Sequence, residues 1–208
     1  MYESTYTPIW SEGPRDATPS DCAFGGTVPR YGIATAGSIS TSGGSYSGTP
    51  AGAVYYSNYA AAYDTVGVRW DILSDPSFPV DYDGSWPDFA SLLATNPDTF
   101  PLIRVNGDFN AWEGYSGQGV LIVTGRLTLL GDFTWDGIIL AGRLYYIWGG
   151  SYDLPRVNGM LIGGLNSSNP TSYLYSGEVF YHSCNAYMAN RSLSYLELVE
   201  NSLFEVNN

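Results

Sequence analysis

The single histidine, His182, stands two residues before Cys184. On a strand an i, i+2 pair shares a face, so the two could form the Cys and His couple of a nucleophilic site. No glycine-rich oxyanion or nucleophile motif accompanies them, and the sequence favours a structural histidine. Cys184 has a second role open to it. Cys22 is the only other cysteine, and a bridge between them would close a very long loop, tying the N-terminal arm to the C-terminal segment in an oxidising compartment. Two buried free thiols are the alternative.

Carboxylates offer other chemistry. Asp132 and Asp136 alternate around Phe133 and Trp135, and Asp108 follows Asn106. Acids of this kind could line one face and cleave a glycosidic bond with a partner base or Ca²⁺. Strand-flanking Asp beside Gly is also ordinary turn chemistry, and that reading is the stronger one. Asp81, Asp83 and Asp88, around Gly84, form a weak Ca²⁺ candidate that lacks the full ligand series of a calcium loop. No cofactor is expected. Asn166-Ser-Ser168 and Asn190-Arg-Ser192 match the glycosylation sequon. The chain holds 18 tyrosines, and aromatic residues make up 15% of it. Tyr55, Tyr56, Tyr59, Tyr63, Tyr145, Tyr152, Tyr173 and Tyr175 suit sugar stacking or subunit interfaces, although strand-rich proteins favour tyrosine in any case.

The elements that must position these groups are written in a repeat. Pro101-Leu-Ile-Arg-Val-Asn-Gly107, Gly119-Val-Leu-Ile-Val-Thr-Gly125, Gly137-Ile-Ile-Leu-Ala-Gly142 and Gly159-Met-Leu-Ile-Gly163 begin at positions 101, 119, 137 and 159. A unit too small to bury its own apolar face, recurring about every 20 residues, is the mark of a solenoid. The expected fold is mainly β, a short parallel β-helix (β-solenoid), with an extended N-terminal arm over 1–30 and a C-terminal amphipathic helix over 184–208 packed on its outside. The solenoid body spans 31–183. Gly32-Ile-Ala-Thr-Ala-Gly37 gives its first copy of the pattern, and an irregular or helical insertion interrupts it at about 53–100. Ile9, Trp10 and Phe24 are the apolar anchors of the arm. Within the insertion, 58–73 mixes helical composition with a strand-like alternation at Val66, Val68, Trp70 and Ile72. A short helix is expected from Trp86 to Ala94, capped by Ser85 or Trp86 with Pro87 in its first turn.

Period-2 alternation sorts the coils into two sides. Leu121, Val123, Leu127, Leu129, Phe133 and Trp135 point inward, as do Ile103, Val105 and Phe109 one repeat earlier. After a one-residue deletion before Gly142, the inward set becomes Leu144, Tyr146 and Trp148. Seven residues at nominally outward positions are nevertheless apolar: Leu102, Val120, Ile122, Ile138, Leu140, Met160 and Ile162. Stacked coils align them into one outer stripe, which something must cover. The C-terminal segment, with Ala189, Leu193, Leu196, Val199 and Leu203 at helical spacing, is the expected cover; a neighbouring subunit is the competing one.

Bulk composition restricts the partners. At 208 residues one domain is expected. A formal charge of −12, from 20 acidic and 8 basic residues, repels nucleic acid and anionic membranes at long range. No apolar run is long enough to span a membrane, and the N-terminus lacks a basic region followed by an apolar one. Glycine (25 residues), tyrosine and scarce lysine suit an acidic, tyrosine-rich extracellular surface protein.

Phe100-Pro-Leu-Ile-Arg-Val-Asn-Gly107-Asp, Gly117-Gln-Gly-Val-Leu-Ile-Val-Thr-Gly125-Arg-Leu-Thr-Leu, Gly131-Asp-Phe-Thr-Trp-Asp-Gly137-Ile-Ile-Leu and Asn158-Gly-Met-Leu-Ile-Gly-Gly-Leu-Asn166, with Tyr181-His-Ser-Cys184 and a following helix, resemble the exported regions of bacterial pilus-assembly proteins of the PilX or pilin-like type. The likeness covers roughly 66–206 and, more weakly, 31–48. It implies a non-enzymatic structural or adhesive subunit of an extracellular, pilus-like bacterial filament, assembled as a homo-oligomer of identical subunits. Such proteins begin with a hydrophobic helix behind a peptidase site, and this sequence has neither. The alternative function is a glycan-binding or glycan-cleaving β-helix domain of the phage-tail or secreted-lyase type, with a surface glycan as partner.

Overall fold

The computed structural model describes residues 2–3, 33–36, 38–47, 53–56, 68–95, 99–112, 114–148, 154–166, 172–193 and 197–198. Within them the chain winds into a parallel β-solenoid of about four turns. Strands β9 (Ser116–Leu130) and β10 (Thr134–Trp148) each run through a whole turn, bending at glycines, and β11 (Arg156–Gly163) covers the first two faces of the next. Their first segments stack on β13 (Glu178–Phe180) and β4 (Ser45–Ser47), making one face. Their second segments form another, between β7 (Leu102–Val105) and β6 (Tyr82–Gly84) below and β2 (Ile33–Ala36) and β5 (Ala53–Tyr56) above. The third face joins β8 (Phe109–Ala111), the ends of β9 and β10, β12 (Ser172–Ser176) and β3 (Ile39–Thr41).

The order of turns in space is not their order in sequence. From β7 the chain climbs turn by turn to β13, and there it leaves the stack. The next turn is completed by β2 and β3, so one turn takes its first face from residues 178–180 and its other two from 33–41. The coil expected to begin the solenoid at Gly32 therefore lies at the far end from β7, and the chain, at the upper end in β5, is at the lower end in β6. Gly32 itself lies outside the described residues.

Alternation places the inner core correctly through β9. Ile103, Val105, Phe109, Leu121, Val123, Leu127, Leu129, Phe133 and Trp135 are all buried together. In β10 the expectation fails after Leu144. The pairing of β9 with β10 slips between Leu144 and Tyr146, a bulge that restores the offset lost at Gly142 and flips the parity. Ile147 is thus inside, and Trp148 is 49% exposed.

The lower end of this core is closed by a plug helix, Phe89–Thr95. Phe89 meets Phe109, Tyr115 and Trp135 edge to face, with ring centroids 6.2, 5.8 and 5.3 Å apart. Its cap is Asp88 rather than Ser85 or Trp86: the Asp88 carboxylate accepts the Ser91 N–H at 3.1 Å, which satisfies a first-turn donor. Of the ambiguous stretch 58–73, residues 58–67 lie outside the described residues; within the rest, Trp70–Leu73 form a helical turn and not a strand, which sets Trp70 and Leu73 in the same apolar layer.

The C-terminal helix, Ser183–Leu193, lies on the outside of the second face. It is shorter than its apolar spacing implies. Glu197–Leu198 (β14) instead pairs antiparallel with Tyr2–Glu3 (β1), which commits those backbone groups to a strand ladder. Leu196, Val199 and Leu203 lie outside the described residues, as do the arm anchors Ile9, Trp10 and Phe24.

One corner sets how closely the turns approach. Gly119, Gly137 and Gly159 stack in register with φ of 112°, 135° and 153°, a region that side chains strongly disfavour. A Cβ on Gly137 would run into the Gly119 carbonyl and lie 3.1 Å from Ala189 Cβ, whereas one on Gly107 (φ 91°) would meet nothing. Gly107→Ala therefore carries conformational strain alone, about 1 kcal/mol. Gly137→Ala adds overpacking, for a total of about 2–4 kcal/mol. Urea unfolding of the two variants should separate them by at least about 1 kcal/mol; equal losses would refute the close approach.

Candidate functional site

The seven-residue outer stripe is brought together and is fully covered. Leu102, Val120, Ile122, Ile138, Leu140, Met160 and Ile162 are buried beneath Ala186, Ala189 and Leu193 of the C-terminal helix. A second cover, absent from the sequence expectation, comes from Val68, Trp70, Leu73 and Phe78. Arg104, the polar exception in the stripe, holds that cover down. It is 1% exposed, and its guanidinium donates to the carbonyls of Asp75, Pro76 and Phe78 and to the Asp83 carboxylate, the last at 2.6 Å. The stripe is a second core layer and not an open docking surface.

The residues singled out for chemistry are mostly committed to holding the coil. His182 caps the C-terminal helix, its Nδ1 accepting the Asn185 N–H at 3.2 Å. Cys184 is disulfide-bonded, so no thiolate stands beside that imidazole. The outward acids occupy three different corners. Asp108, between the second and third faces, accepts the Arg126 N–H at 2.7 Å. Asp132, between the third face and the first of the next turn, accepts the Gly114 N–H. Asp136, at the remaining corner, holds the amides of Asn158 and Asn185 at 2.9 and 3.1 Å. Set on separate edges, they cannot flank one glycosidic bond as a carboxylate pair must.

The calcium candidates are also apart in role. Asp81 accepts the Leu102 N–H at 2.7 Å, Asp83 binds Arg104 and Asn106, and Asp88 caps the plug helix. No group of three or more metal-ligating side chains occurs among the described residues. Both sequon asparagines are engaged: Asn190 is buried, and Asn166 accepts from the Trp70 indole N–H while donating to the Thr124 carbonyl. No helix among the described residues is long and apolar enough to cross a membrane.

The third face is different, because no helix among the described residues covers it. On its outer side Trp112 is 56% exposed and Trp148 49%, and Tyr175 is exposed beside them. Trp148 pairs with Leu130 below and Ser176 above, and extending the β8–β9 register by one residue sets Trp112 beside Leu130. Tyr175 stands in the irregularity next to Trp148. The backbone positions of Trp112 and Trp148 thus lie about 10 Å apart along the solenoid axis, with Tyr175 one rung of about 4.8 Å beyond. Along the other edge of the face Arg126 and Arg143 are register partners, and both guanidiniums sit over the Tyr145 ring, 5.2 and 5.3 Å from its centre. Arg126 also pairs with Asp108 at 3.2 Å.

Sequence reasoning missed this platform because it placed Trp148 inside and did not consider Trp112. A signal was present. Leu144-Tyr-Tyr-Ile147 holds one residue more between its aliphatic positions than Leu127-Thr-Leu129, the length of one bulge. Comparison with protein families, curated proteins and solved structures finds no match to this chain.

Two outcomes are expected. Cys22 lies outside the described residues, yet it is the only other cysteine. Digestion without reductant should release a Cys22–Cys184 linked peptide; alkylation of two free thiols in the folded protein would refute the bridge. The second concerns acid. A hydrogen bond from Arg104 holds the Asp83 carboxyl below the usual range, the Ser77 hydroxyl does the same for Asp75, and Arg69 for Asp71. Groups whose folded pKa is depressed contribute stability that is complete above the ordinary value of about 3.9 and is lost as pH falls through the folded value. As pH falls below about 3.9, amide exchange corrected for intrinsic rates should therefore accelerate at 70–83 relative to 120–140. Asp83→Asn should flatten that difference; uniform exchange in both segments would overturn it.

Proposed function

We propose that this chain is a non-enzymatic adhesive or structural subunit displayed on an extracellular bacterial filament. One observation carries the reading: a stack of parallel strands presents exposed aromatic rings on a face that no helix among the described residues covers. An adhesive module needs a stiff scaffold and contact groups that lose little entropy on binding, and aromatic side chains held on a sheet meet both needs. The resemblance to pilus-assembly proteins of the PilX or pilin-like type supports the filament setting, and the disulfide at Cys184 suits an oxidising compartment.

The glycan-cleaving form of the alternative gains no support from acids set at three separate corners. Its binding form remains compatible with an adhesive role. Immunogold electron microscopy of cells producing the protein should place label along surface filaments. Label confined to the cytoplasm would overturn the proposal.

A further inference from the structure

We infer that the third face binds a linear, neutral, β-linked polysaccharide, its sugar rings stacking on Trp112, Trp148 and Tyr175. The inference rests on the adhesive reading above and names its ligand class. The first argument is geometric. Trp112 and Trp148 occupy one backbone column along the solenoid axis, two rungs of about 4.8 Å apart, and Tyr175 stands beside Trp148 where the register slips. An extended β-linked pyranose chain is a flat ribbon whose apolar C–H faces recur at a comparable interval. Rings spaced along the axis therefore meet sugars of such a ribbon in one register, and a coiled α-linked chain leaves them after the first contact.

The second argument is the charge pattern. The strands of this face from β8 to β12 contain no Asp or Glu, and their outer edge carries Arg126 and Arg143. Arg126 is paired with Asp108, and the strands themselves offer a polycation no acidic partner. A polyanion is repelled by the body, which carries a net charge of −12. A second copy of the chain brings the same −12 with it and would have only three rings to offset that repulsion. A neutral polymer meets neither obstacle. Between the tryptophan column and the arginine edge, the half-buried Asn110 supplies an amide that flanks a stacked sugar and fixes its orientation.

The test uses the intact chain and follows intrinsic tryptophan fluorescence while cellohexaose, chitohexaose, maltohexaose and polygalacturonate are titrated separately. Saturable change with cellohexaose or chitohexaose is expected, with weaker or no response to the other two. Trp112→Ala and Trp148→Ala should each weaken binding about tenfold, the size of one lost stacking contact. Tyr55→Ala, another exposed ring away from this face, should leave it unchanged; far-ultraviolet circular dichroism checks that all three variants fold. No saturable response to either β-linked hexaose, or tighter binding of polygalacturonate, would overturn the inference. So would a concentration-dependent dimer in sedimentation that Trp148→Ala dissolves, which would assign the face to a second copy. Filament labelling that persists when the sugars fail refutes the ligand alone, and sugar binding by a cytoplasmic protein refutes the adhesive reading alone.

Discussion

Hydrogen bonding between parallel strands stacked rung on rung is the constraint from which the rest of this molecule follows. It fixes a spacing of about 4.8 Å along the axis, and at the first corner that spacing leaves room for no side chain. Gly119, Gly137 and Gly159 answer it. Once the corner glycines are in line, the register of every neighbouring position is set. Leu102, Val120, Ile138 and Met160 become one column on the outside of the second face, and the aliphatic residues on the inner side become the core.

A stack of this kind has two ends, and each needs closing because a terminal rung exposes both unpaired backbone and core side chains. The lower end is closed by Phe89 of the plug helix. The upper end is extended by residues from the opposite end of the sequence, since β2 and β3 finish the turn that β13 begins. The solenoid therefore cannot grow in a single pass from its N-terminal strand. β2 can pair with the nearby β5, but β2 and β3 gain their partners β11 and β12 only after 156–176 have formed, a non-local closure of the sort that slows folding. The same arrangement makes the molecule a closed unit, because the C-terminal helix and the 68–78 segment bury the one face that would otherwise be apolar on both sides.

Much of this was legible in the residues. The repeat, the inner parity of β7 to β9 and the covered outer stripe can all be read from glycine spacing and alternation, since these are local consequences of a period of 2 and a fixed rung. What could not be read is non-local. Nothing in Gly32 to Ile39 distinguishes stacking on β7 from stacking on β11, because like coils stack on like. Arg104 looked like a break in an apolar column, and only the return of Asp75 to Asp83 across the face gives its buried charge a set of acceptors. Trp148 was misplaced for a local reason: a deletion at Gly142 was counted and the compensating bulge was not.

The three faces divide their work according to what their outer side chains can tolerate. Aliphatic residues on the second face have no polar group to offer water, and they are covered. Outer side chains of the first face and its corners form hydrogen-bonded ladders, Asp136 with Asn158 and Arg156 with Glu178, which satisfy themselves from rung to rung and leave few groups for a partner. On the third face tryptophan, tyrosine and arginine combine large apolar surface with polar edges, so they remain exposed at little cost and still gain on contact. An aliphatic surface of equal area would have drawn a helix over itself, and a charged one would have paired within the coil. Among the described residues, the third face is the one whose outer side chains are neither covered by a helix nor spent on ladders within the coil, which is why the proposed contact is placed there.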